Sequence, residues 1–75
     1  MVVAQFVNTR QGFVFLFLGN PNTHYPLGPA GTWQNNFIGN IKIEVVEGAP
    51  EYNRPKIKTF NIRDTNNTTY VTYTI

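Results

Sequence analysis

Between Gly12 and Gly19 the chain runs Phe13-Val14-Phe15-Leu16-Phe17-Leu18, apolar at every position. As a strand, the stretch sends Phe13, Phe15 and Phe17 to one face and Val14, Leu16 and Leu18 to the other. It is too short to span a membrane, and its bounding glycines with aromatic and β-branched content argue against a helix. A surface strand of an antiparallel sheet alternates apolar with polar, whereas this one needs cover on both faces. A chain of 75 residues makes one domain, residues 1–75, which buries about 60% of its unfolded surface and has little cover to give. Either face can enter the domain's own core. The row of Phe13, Phe15 and Phe17 is the candidate oligomer interface, which predicts self-association or docking to other structural subunits.

Turn chemistry divides the rest of the chain into strands. Residues 2–7 read as a first strand, joined by the 8–12 turn in a hairpin to residues 13–18. Residues 19–36 carry three of the five prolines, Pro21, Pro26 and Pro29, and read as one long Pro/Gly-rich loop with a short edge strand near His24 to Leu27. Residues 37–47 return to strand, with Ile41, Ile43 and Val45 alternating against Lys42 and Glu44. Residues 56–63 form the next strand, with a bulge expected near Lys58-Thr59 where the apolar parity changes. The polar turn 64–67 then leads as a hairpin into residues 68–75. The expected fold is all-β: a small five- to six-stranded antiparallel barrel or sandwich.

Asparagine occurs ten times, threonine nine times and serine never, and charged residues are only 13%. Asn suits turns and Thr suits strand faces, so the bias agrees with the all-β reading. The net charge of +2 permits an anionic partner without requiring one. No cysteine is present, so no disulfide and no thiolate zinc site staples the fold. No basic segment followed by an apolar run opens the chain, so neither a signal peptide nor a membrane span is expected, and the setting reads as virion or cytoplasm.

Chemistry finds few supports. Without Ser or Cys, and with His24 alone in a proline-rich loop, no nucleophile triad is suggested; the chain is read as no enzyme, with no cofactor and no metal. Arg54, Lys56, Lys58 and Arg63 cluster within ten positions near aromatic residues. With Phe6, Phe13 and Phe15 they define an alternative, an OB-like module for single-stranded nucleic acid. Trp33 and Tyr25 define a weaker one, a carbohydrate-binding module.

Two fragments resemble known families. Asn8-Thr9-Arg10-Gln11-Gly12-Phe13-Val14-Phe15 resembles the start of a cold-shock domain, with Gln11 at the basic position and Val14 at the second glycine. That resemblance implies an OB barrel with Phe6, Phe13 and Phe15 exposed to stack on bases. Asn35-Asn36-Phe37-Ile38-Gly39-Asn40 is similar to the calcium motif of βγ-crystallin domains, with Gly39 at the position of the ligating hydroxyl. The favoured expectation is a non-enzymatic structural or assembly subunit of a larger homo-oligomer or particle, such as a viral or phage structural protein.

Overall fold

The computed structural model describes the whole of Met1–Ile75. Its strands are β1 (Val2–Val7), β2 (Val14–Leu18), β3 (His24–Leu27), β4 (Thr32–Phe37), β5 (Ile41–Glu47), β6 (Lys58–Ile62) and β7 (Thr69–Thr74). They form two sheets packed as a sandwich, one ordered β4-β1-β7 and the other β3-β2-β5-β6. No strand of one sheet pairs with the other, so the barrel alternative is not realised. The second sheet is antiparallel throughout. The first is mixed: β1 runs antiparallel to β4 and parallel to β7.

The all-β expectation holds, and its connections need correction. Neither expected hairpin forms, because β1 and β2 lie in different sheets, as do β6 and β7. Asn8 gives the first of these a physical cause. Its side chain is fully buried; Nδ2 donates to the carbonyls of Gly12 (2.9 Å), Leu27 (3.0 Å) and Gly28 (3.0 Å), and Oδ1 accepts from the Arg10 amide (2.9 Å). This knot turns the chain across the gap between sheets instead of back alongside β1.

The span 19–36 is not one long loop. It contains β3, near the expected edge strand, and β4, which begins at Thr32. In β4 the exposed Thr32, Gln34 and Asn36 alternate with half-buried Trp33 and Asn35 and buried Phe37. Pairing with β1, as in Phe6↔Trp33 and Val2↔Phe37, overrides the poor strand propensity of the Asn pair. Between β3 and β4, the Gly31 amide donates to the Gly28 carbonyl across Pro29 and Ala30, and Ala30 has φ 59°.

The core lies between the sheets. Val2, Ala4 and Phe6 of β1 face Val14 and Leu16 of β2, joined by Leu27, Phe37, Ile43, Val45, Ile62 and Ile75. Val14 and Leu16 therefore settle which face of β2 is inward. Phe60 and Ile62 pack inward from β6, and Ile57, of opposite parity, lies just before that strand. Aromatic rings cross the width of the core in the order Tyr25, Trp33, Phe6, Tyr73, Phe60, with centre separations of 4.1, 5.7, 5.4 and 4.5 Å.

Candidate docking surface

With Val14 and Leu16 committed to the core, Phe13, Phe15 and Phe17 fall on the outer side of β2. The chain covers part of that row itself. Residues 48–57 fold back across the sheet after Gly48, whose φ of 88° turns the chain and whose amide donates to the Phe13 carbonyl (3.1 Å). Tyr52 sets its ring edge-on to Phe17 at 5.1 Å, and His24 packs on Phe17 from β3 at 5.4 Å. Phe17 is left 1% exposed. The expectation that it joins an interface is corrected here: its cover comes from within the chain.

Tyr52 is held from both sides. Its hydroxyl donates to Glu44 Oε1 at 2.6 Å, and Lys56 Nζ lies 4.1 Å from its ring centre. Lys56 also donates to the carbonyls of Tyr52 and Arg54. The hydrogen bond to Glu44, then partial burial, then the Glu44 charge raise the Tyr52 pKa above the usual phenol value.

Phe13 and Phe15 are left open. Phe13 is 53% exposed, Phe15 is half-buried, and their rings stack at 6.4 Å. Phe15 pairs across the ladder with exposed Pro26. The Phe13 ring lies against Gly28, so closely that a Cβ there would come within 3.3 Å of it. An ion pair between Arg10 and Glu47 (3.2 Å), the latter opposite Val14, marks the Phe13 end. The result is a short apolar strip of two stacked rings and a proline on a face whose other exposed strand residues, His24, Lys42, Thr59 and Asn61, are polar. Pro26 and Tyr52 are the residues that sequence reasoning missed, Pro26 because an edge-strand expectation does not say which ring of β2 it will pair beside and Tyr52 because nothing in a turn sequence says which face it will cover.

The residues of the nucleic-acid alternative are not brought together. Phe6 sits at the centre of the core with no exposed surface, between Trp33 and Tyr73, so it cannot stack on a base. Arg54 is paired with Glu51 (3.1 Å) and Lys56 lies on Tyr52. Exposed Lys58 opens β6 and Arg63 follows its end, roughly 16 Å of strand apart. Arg63 instead shares with Lys42, Asn40 and Asn61 the rim of a shallow hollow of about 200 Å³.

Tyr25 and Trp33 do come together, stacked at 4.1 Å and 8°. Trp33 is half-buried and also stacks on Phe6, so Tyr25 is the exposed ring of the pair. At the crystallin-like stretch the polar groups are used within the chain: the Gly39 amide donates to Asp64 Oδ2 (2.9 Å), and Asn40 Oδ1 accepts from the Asp64 amide (2.8 Å). Asp64 also pairs with the Met1 amino group at 2.8 Å, and these hydrogen bonds, Met1 first and Gly39 second, hold its carboxyl below the usual carboxylate range. No group of three His, Asp or Glu side chains is placed to share a metal ion, and no helix is long and apolar enough to cross a membrane. No family model, curated protein or solved structure matches this chain.

Proposed function

We propose that this chain is a non-enzymatic assembly subunit, a small β-sandwich that takes its place in a larger homo-oligomer or particle by docking through Phe13, Phe15 and Pro26. One observation carries the reading: the strip formed by these residues stays open although the chain covers the neighbouring Phe17 of the same row with Tyr52. Phe13 is 53% exposed and Phe15 less, so burying what remains open contributes at most about half of the ~1.5–3 kcal/mol of a fully exposed phenylalanine to each, which offsets only part of the entropic cost of association. The contact therefore extends beyond the rings onto the polar surface around them. Low charge and an Asn/Thr-rich surface suit a subunit surrounded by copies of itself.

Phe13→Asp tests the reading without touching the core, since that side chain is more than half exposed. The wild-type chain at tens of micromolar should scatter light as a species larger than a dimer, and the variant should fall to a smaller species with the same circular dichroism. A variant with unchanged mass, or a wild-type monomer at these concentrations, overturns the proposal. In the same samples a labelled pyrimidine oligonucleotide should show no salt-sensitive binding.

A further inference from the structure

The two sheets end in β3, β4, β6 and β7, and an edge strand is a template for another strand unless something blunts it. β3 carries Pro26, β6 opens on Lys58, and β4 holds the weak strand formers Gln34, Asn35 and Asn36. β7 has no such protection. Thr69-Tyr70-Val71-Thr72-Tyr73-Thr74 is uncharged, lacks Pro and Gly, and is β-branched or aromatic at every position.

This edge is also held ready. The Thr69 amide donates to the Met1 carbonyl (3.0 Å), the Ile75 amide to the Val7 carbonyl (2.8 Å), and the Ile75 carbonyl accepts from the Thr9 amide (2.9 Å). These bonds fix the phase of the parallel ladder. Residues 69, 71, 73 and 75 turn their backbone groups toward β1, so Tyr70, Thr72 and Thr74 turn theirs outward, where no strand pairs. The side chains of those three are exposed on the outer face of the sheet. Their ladder neighbours Val3, Gln5 and Val7 carry no charge either.

We infer that β7 is a self-association edge whose partner is a second copy of this chain, paired antiparallel about a two-fold axis at Thr72. The outward phase makes the strand self-complementary. With Thr72 opposite Thr72 of the partner subunit, Tyr70 meets Thr74 of the partner subunit, and every outward amide finds an outward carbonyl. On the inner side Val71 stands across from Tyr73 of the partner subunit, an aliphatic against an aromatic, and no like charges oppose each other. An edge already fixed at both ends loses little further freedom on pairing. The contact belongs to the other sheet from the Phe13 strip. A chain with both contacts builds an extended assembly, and either contact stands if the other fails.

Amide hydrogen exchange of the wild-type chain, followed by NMR as concentration is raised, reads this edge directly. The amides of Tyr70, Thr72 and Thr74 should gain protection together as the dimer fills, while those of Val71 and Tyr73 stay protected throughout. Thr72→Pro removes an outward donor without touching a bond to β1 and should weaken association at least roughly tenfold. In the Phe13→Asp background the same change should convert the remaining dimer to monomer. The inference is overturned if the three amides exchange freely in the associated chain, if Phe13→Asp alone is a monomer at hundreds of micromolar, or if folded Thr72→Pro associates as tightly as its parent. Should Thr72→Pro not fold, the exchange pattern of the wild type decides. A Phe13→Asp chain of unchanged mass with protected edge amides would instead retire the strip and keep the edge.

Discussion

Asn8→Ala is expected to cost this small domain a large share of its stability. The amide has two protons for the three carbonyls it reaches, so one contact is shared, and Oδ1 holds the Arg10 amide besides. The Leu27 contact lies in the buried interior, and losing it leaves a carbonyl dry at about 1–3 kcal/mol. The Gly12, Gly28 and Arg10 contacts are partly reached by water, so each is worth nearer 0.5–1 kcal/mol. The sum is about 2.5–6 kcal/mol, against roughly 4–11 kcal/mol for a domain of this length. At 4–8 °C per kcal/mol, thermal unfolding followed by circular dichroism should shift down by at least roughly 10 °C, and the upper end of the range would unfold the domain at room temperature.

Asn8→Asp sharpens the test. It keeps the acceptor for Arg10 and sets carboxylate oxygens against carbonyl oxygens, which raises its folded-state pKa above the unfolded value of about 3.9. The folded state then binds more protons between those two values, so the stability of this variant should rise as pH falls through that window and be flat above it. If Asn8→Ala melts within about 5 °C of the parent, or Asn8→Asp shows no gain on acidification, the knot does not hold the crossing as described.

Two further outcomes follow from local geometry. Asp64 has its pKa lowered, from an ordinary value of 3.8, by the Met1 amino group and then the Gly39 amide. The stability it contributes is therefore present above about 3.9 and lost as pH falls through the lower folded value, so the gap between wild type and Asp64→Asn in urea melts should close below pH ~4. Ala30, at φ 59° directly after Pro29, occupies the turn position that favours glycine, and Ala30→Gly should raise stability by about 0.5–1 kcal/mol in the same melts; a loss of stability would contradict the turn assignment.

The two-faced apolar character of β2 and the alternation of Ile41, Ile43 and Val45 were legible because side-chain parity reports which face a residue takes. Parity does not report neighbours. Nothing in Val2-Val3-Ala4-Gln5-Phe6-Val7 distinguishes an antiparallel partner at residues 13–18 from a parallel one at residues 69–74. That choice rests on Asn8, which looks like ordinary turn chemistry until its carbonyl partners from distant segments are in place. β4 was hidden for a related reason: Thr32-Trp33-Gln34-Asn35-Asn36 has weak propensity, and its strand identity comes from the edge of β1. On the outer side of β2, Phe13 and Phe15 were readable as apolar residues on the face opposite Val14 and Leu16. The covering of Phe17 was not, since Tyr52 reaches it only through the fold-back of residues 48–57.

The ring series across the core also gives the chain a built-in optical probe. Trp33 is the only tryptophan, and it is held between Tyr25 from one sheet and Phe6 from the other. Trp33 meets Phe6 within its own sheet, so its near-ultraviolet asymmetry begins with the β1–β4 pairing and is complete only when Tyr25 arrives from the other sheet, whereas the far-ultraviolet signal follows the strands themselves. A refolding experiment that records both separates sheet formation from docking. If both signals rise with one rate constant, the sheets acquire their order in the same step in which they close on each other; a lag in the tryptophan signal would mean that sheets form first and dock afterwards.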